Sequence, residues 1–263
     1  MSHLQAAVLG AVQGLTEFLP VSSSAHLFVV PTLLGWPYGG LAFDVALHWG
    51  TLLALLIATF GDWRRLAAGL FAADAATRRE TRTTWAKIVV GSVPAAVVGL
   101  LVEDAASGPL RSLPLQAVML FVFGFLLWWV DRVRGAGRDT LVPGWTACLL
   151  IGCAQAIALV PGVSRSGVTI TAGRAIGLSR VSAARFSFLL ATPITFGAGL
   201  LELKHVPELP IATLLIGVAT AAITGLLAIN GLIAWVKRAG FGAFFAYRAA
   251  LALVILVLLA RAR

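Results

Sequence analysis

The stretch "GAVQGLTEFLPVSSSAHL", residues Gly10–Leu27, decides how this chain is read. It begins as an apolar helix, reaches Pro20, and then sets three serines and a histidine where a membrane span would continue. A second stretch, "GCAQAIALVPGVSRSGVT", residues Gly152–Thr169, carries the same pattern at an offset of 142 residues. At that offset Gly10 falls on Gly152, Gln13 on Gln155, Val21 on Val163, Ser22 on Ser164 and Ser24 on Ser166, while Ala25 meets the equally small Gly167. Each stretch therefore predicts a helix, a Pro/Ser loop and a short second helix, with limbs too short to cross a bilayer. Irregular backbone at that depth is tolerated only where protein buries it or water reaches it, so both are expected to be re-entrant hairpins.

Outside these stretches the chain is that of an integral membrane protein. Of 263 residues, 59% are hydrophobic and 12% charged, against about a quarter charged in soluble domains. Runs such as "VMLFVFGFLLWWV" do not alternate, which favours helices over barrel strands. Six segments are long and apolar enough to cross: Ala42–Phe60, Trp85–Val102, Leu115–Val130, Ser182–Leu201, Ile211–Val236 and Ala243–Ala260. The expected architecture is all-α and polytopic. It is a single membrane domain over 1–263, built as an inverted repeat of five helices each (about 1–135 and about 142–263), with about six transmembrane helices plus two re-entrant hairpins. Three spans follow each hairpin, and an odd number of crossings turns the second copy over.

Charge orients the chain. The net charge of +9 reports topology and anionic lipid here, and no nucleic-acid partner is expected. Arginines crowd the 60–85 and 130–142 connections, and Arg174, Arg180 and Arg185 flank the second hairpin's exit. The opposite side, with Arg111, Glu103, Asp104, Lys204 and Glu208, is poorer in cations. The positive-inside rule puts the arginine-rich side in the cytoplasm and both termini outside, although Arg261 and Arg263 run against it. Cys148 and Cys153 have no metal-ligand spacing and are expected as small buried residues. No cleaved signal peptide is expected.

Ionisable groups at membrane depth are costly and mark sites. Arg165 lies among Ser164, Ser166, Gly167 and Thr169 at the start of a helix. A guanidinium, hydroxyls and free N–H groups at a helix N-terminus suit a phosphate. The first hairpin offers Gln13 and Glu17 on one helical face, then Ser22, Ser23 and His26. A carboxylate, hydroxyls and an imidazole can activate a nucleophile, or hold a divalent metal beside a phosphate. Asp44 and His48 share a face of the first span and are candidates for a supporting role. Asn230 is expected to join helices, and His3 and His205 to be solvated.

"QGLTEFLPVSSSAH" and "PGVSRSGVT", with "FDVALHWGT" at Phe43–Thr51, resemble the signature motifs of the undecaprenyl-diphosphatase family, the bacitracin-resistance membrane phosphatases. The resemblance spans essentially the whole chain. It implies hydrolysis of undecaprenyl diphosphate to the monophosphate and inorganic phosphate, recycling the cell-wall lipid carrier in the bacterial inner membrane. It also implies a divalent cation, Mg²⁺ or Ca²⁺. Matching positions are Glu17, Ser22, Ser23, His26, Ser164, Arg165, Ser166 and Thr169. The family's first motif opens with Glu or Gln, and here it is Gln13, so the metal-binding carboxylate falls to Glu17. The expected catalytic group is Ser23, His26, Glu17 and Arg165, with Ser22, Gln13, Ser164, Ser166, Gly167 and Thr169 binding substrate. Ser23 is the expected nucleophile, with His26 or Glu17 as base; a nucleophilic His26 or direct water attack are the alternatives. The site is expected to open to the periplasmic side, and a homodimer is expected as the assembly. An inverted-repeat transporter or a lipid flippase is the rival from another class.

Overall fold

A computed structural model describes residues 1–37, 39–102, 112–202 and 210–261, which form eleven helices and no strands. The first hairpin is α1 (His3–Phe18) and α2 (Ser23–Leu34). Next come α3 (Leu41–Ala58), α4 (Phe60–Gly69), α5 (Ala75–Leu101) and α6 (Leu113–Val133). The second hairpin is α7 (Trp145–Ile157) and α8 (Arg165–Ala175), followed by α9 (Arg180–Glu202), α10 (Ile211–Val236) and α11 (Gly242–Arg261). Among the described residues five helices are long and apolar enough to cross a membrane, and α3 with α4 makes a sixth, bent by 65°. This is a polytopic, all-helical membrane protein.

Local chemistry sets the helix ends. Ser2 and Gln5 form a reciprocal capping box at the start of α1. Pro20 lacks an N–H and stops continuation. Gly35, at φ 64°, closes α2 in the left-handed region. Asp74 caps α5 by accepting from the Thr77 N–H at 2.6 Å, and that hydrogen bond holds its carboxyl below the usual range.

The helices of the two halves interleave. α1 lies along α10, and α7 lies along α5. A Cβ on Gly10 would come within 2.2 Å of the Gly217 carbonyl oxygen, and one on Gly152 within 2.3 Å of the Gly91 oxygen. Apolar lipid provides no hydrophobic drive between helices, so close backbone approach through small residues takes its place. The Gly10/Gly152 match thus marks equivalent contacts, each hairpin against a span of the opposite half.

Several expectations change. The 60–85 connection is helical, as α4 and the first turns of α5, because hydropathy locates only the part of a helix inside the bilayer. With α4, the first half has six helices among the described residues where five were expected. α4 is anchored by Asp62, whose two carboxylate oxygens each accept from Arg185 Nη2 at 2.8 Å, and by Trp63 packed on Trp85. Arg174 is no flanking surface charge: it is 0% exposed and donates to Asp131, Gly135 and Leu178. Cys153 is exposed while Cys148 is buried. Asn230 is exposed and bonds the Leu226 carbonyl of its own helix. The charges Glu103, Asp104, Arg111, Lys204, Glu208 and Arg263, and His205, fall outside the described residues.

Candidate active site

Both hairpin apices carry the same unusual backbone. Ser22 and Ser164 each have φ 73°, with ψ 96° and 114°, and they are the non-glycine residues of positive φ among those described. Such conformations cost about 1–3 kcal/mol and persist only where the surroundings over-determine them. At Ser164 the hydroxyl accepts from the Gly167 N–H at 3.2 Å and lies 3.2 Å from the Ser166 hydroxyl. At Ser22 the hydroxyl lies 3.1 Å from that of Ser24, and the carbonyl accepts from His26 Nδ1 at 2.7 Å. The strained residue leaves position N1 of the following helix to Ser23 in one hairpin and to Arg165 in the other.

These two first residues meet on one carboxylate. Ser23 Oγ donates to Glu17 Oε2 at 2.6 Å, and Arg165 Nη2 donates to Glu17 Oε1. Gln13 Nε2 also donates to Oε2, at 3.2 Å, from one turn earlier on α1. His48 Nε2, on α3, stands 3.6 Å from Oε2. Its Nδ1 lies 2.8 Å from the Asp44 carbonyl, which can only accept, so Nδ1 carries a proton and Nε2 is the atom turned to the site.

The group faces a cavity of about 220 Å³ between the hairpins. Glu17, Ser22, Ser23, Ser24, His48, Gln155, Ser164, Arg165 and Thr195 supply its polar wall. Ala95, Ala158, Leu159, Ile194 and Ala198 supply an apolar one. Several buried polar atoms have no protein partner: Arg165 Nη1, both ends of Gln155, and Gln13 Oε1. Buried polar groups are otherwise nearly always bonded. Two of these atoms, Arg165 Nη1 and Gln155 Nε2, are donors on residues that line the cavity, and such unsatisfied donors suit an anion with acceptor oxygens.

Some expected site residues point elsewhere. Thr169, 1% exposed, bonds the Arg165 and Ser166 carbonyls and the Ser187 hydroxyl, so its oxygen locks α8 to α9 and does not reach the cavity. Ser166 donates to the Leu19 carbonyl at 3.1 Å and ties one loop to the other. The Gly167 N–H is taken by Ser164, and a Cβ there would stand 3.0 Å from Arg248 Nη1. His26 is buried with both nitrogens engaged, Nδ1 on the Ser22 carbonyl and Nε2 at 2.6 Å from the Tyr247 hydroxyl. Because Nδ1 must donate, the neutral ring's lone pair is on Nε2 and turned to Tyr247, away from Ser23. Three residues outside the motifs also stand here: Thr195 on the cavity wall, Tyr247 on His26, and Arg248 on the Pro20 and Gly162 carbonyls. Arg248 alone left a signal, as an arginine inside an apolar run.

For a cation the described residues hold no cluster of three or more His, Cys, Asp or Glu side chains. What they offer is the Glu17 carboxylate with the unpartnered Gln13 Oε1 beside it. Hard cations accept one carboxylate when phosphate oxygens and water complete the shell, so this donor set fits such an ion held jointly with substrate.

The family model for the bacitracin resistance protein BacA matches residues 6–254. The chain belongs to that family. Curated relatives extend the match end to end. The chain is 46% identical to the undecaprenyl-diphosphatase of Pelotomaculum thermopropionicum over 264 residues, covering 99% of this chain and 98% of the relative. It is 46% identical to that of Desulforudis audaxviator over 263 residues, covering 98% of each. With that of Gemmatimonas aurantiaca it shares 45% over 269 residues, covering 99% of each. The resemblance carried by the two hairpin motifs is thus a property of the whole family member, including its α5, α6, α10 and α11 helices.

Proposed function

We propose that this protein hydrolyses undecaprenyl diphosphate to undecaprenyl phosphate and inorganic phosphate in the cavity between the hairpins. That reaction would recycle the lipid carrier of cell-wall synthesis in the bacterial inner membrane. The supporting observation is the single carboxylate of Glu17, which holds a serine hydroxyl on one oxygen and an arginine on the other. The relatives named undecaprenyl-diphosphatase support the substrate.

In this reading the diphosphate competes with Glu17 for Arg165, whose Nη1 is already free to receive it. Arg165 then clamps the phosphate by its planar fork, with Gln155 and Ser164 adding donors. Glu17, released from the guanidinium, accepts the Ser23 proton. Ser23 Oγ attacks the terminal phosphorus, the bond to the bridging oxygen breaks, and undecaprenyl phosphate leaves. Water then cleaves the phosphoserine to give inorganic phosphate and restore the hydroxyl. The geometry favours Glu17 over His26 as the base, since His26 turns its lone pair to Tyr247. A divalent cation, Mg²⁺ or Ca²⁺, bound by Glu17 with Gln13 Oε1 would supply charge neutralisation on the phosphate oxygens. The apolar wall of Ala95, Ala158, Leu159, Ile194 and Ala198 gives the isoprenoid a way toward lipid. The arginine-rich connections support a cytoplasmic assignment for their side, with the cavity open to the periplasm.

The test is phosphate release from undecaprenyl diphosphate by purified protein in detergent, lost on chelation and restored by Mg²⁺ or Ca²⁺. Solute flux in vesicles without phosphate release would replace this reading with a transporter. For the side, cysteines at Thr77 and Asp139 in protein lacking Cys148 and Cys153 should be shielded from impermeant reagents in intact cells, and one at Ser107 labelled. The reverse pattern would turn the protein over.

A further inference from the structure

Arg248 interrupts the apolar run of α11 and is 0% exposed. A buried charge at membrane depth costs several kcal/mol unless it is fully bonded. Here all three guanidinium nitrogens are engaged, and every acceptor is a backbone carbonyl. Nε donates to Leu120 at 2.9 Å, and Nη1 to Pro20 at 3.2 Å. Nη2 donates to Met119 at 3.2 Å, Gly162 at 2.9 Å and Val163 at 3.0 Å. No carboxylate among the described residues pairs with it.

The choice of carbonyls is informative. Pro20 and Gly162 are equivalent positions of the two hairpins, each two residues before the strained serine. One side chain, from a helix belonging to neither hairpin, therefore grips the same point of both loops. Through α6 carbonyls it also fixes both to the scaffold. The slot is built for it: a Cβ on Gly124 would stand 3.1 Å from Arg248 Nε, and one on Gly167 3.0 Å from Nη1.

We propose that Arg248 is a positioning residue for the reaction, setting the separation of the two loops and so the meeting of Ser23 and Arg165 on Glu17. The proposal rests on the phosphatase reading for its kinetic consequence, but not for its structural one. A lysine keeps the charge but offers three donors on one nitrogen, and so cannot reproduce five carbonyl bonds spread over three nitrogens. Misplacement of reacting groups by about 1 Å costs about 10²-fold in rate.

The test uses full-length Arg248→Lys and Arg248→Met in detergent. Turnover of undecaprenyl diphosphate is measured beside the distance distribution between spin labels at Leu34 and Ile157, one on each hairpin. With Arg248→Lys, kcat should fall by about 10²-fold, KM should stay within about threefold, and the distance distribution should broaden. Gly167→Ala, which presses on the guanidinium and keeps its charge, should show a smaller change in the same direction. It serves as the probe if both Arg248 variants fail to fold. An unbroadened distribution, or kcat within about threefold of wild type in a folded variant, overturns the proposal. If wild-type protein releases no phosphate, the phosphatase reading fails, while the distance measurement still tests the clamp.

Discussion

The two hairpins share a backbone and divide the chemistry. Each has a short limb locked by a glycine against a span of the opposite half, a strained serine at φ 73°, and a second limb that starts on the next residue. On that common frame the first hairpin bears the carboxylate and its serine, and the second bears the arginine. Gln13 bonds Glu17, while Gln155, its equivalent, has neither end partnered and lines the cavity. The two apices thus match in backbone, and the difference at one position, Ser23 against Arg165, separates the proposed nucleophile from the proposed clamp.

The comparison breaks hardest at the first apex. Ser23→Ala should lower kcat on the order of 10⁴-fold or more while substrate binding survives, as expected for loss of a group that acts as part of a nucleophilic unit. Ser22→Ala should cost less. If Ser23→Ala retains a tenth of its activity and His26→Ala none, the mechanism passes to a histidine nucleophile or to water.

Glu17→Gln should come next. It removes the proposed base, for a loss of about 10³-fold, and it also releases Arg165. Tighter binding of inorganic phosphate by Glu17→Gln would show that the carboxylate competes for the guanidinium; weaker binding would contradict the proposed exchange. At the second apex, Arg165→Lys keeps charge without the fork and should lower turnover by about 10²-fold. Near-wild-type turnover in a folded Arg165→Lys protein would remove the clamp from the mechanism.

The frame itself can be tested symmetrically. Gly10→Ala and Gly152→Ala each push a Cβ into a facing backbone carbonyl and should destabilise by similar amounts, about 1–3 kcal/mol. Thermal unfolding in detergent checks this, and a large difference between the two would mean the halves are not mechanically equivalent. The smallest effect is expected at Thr169→Val. It should change KM by less than about twofold, because its hydroxyl faces Ser187 and carries a net hydrogen-bond contribution of only about 1 kcal/mol. A tenfold rise in KM there would restore Thr169 to the substrate site.

What the sequence determined by itself were the features encoded locally. Hydropathy marked the spans, because the bilayer imposes length and apolarity on each helix separately. Pro20 and the serines marked the apices, and the 142-residue match marked Ser23 and Arg165 as equivalents before any contact was visible. The tertiary structure alone decided how the helices rotate and what their polar atoms face. His26 and His48 are both histidines at membrane depth, yet packing turns one to Tyr247 and the other to Glu17. Glu17 has no nearby basic residue along the chain, and its arginine arrives from the other hairpin. Arg248 reaches Pro20 across 228 residues. Thr169 sits inside a signature motif and still faces a neighbouring helix. Motifs name side chains, but which oxygen or nitrogen meets which is set by helix packing over long separations, and no local pattern carries that information.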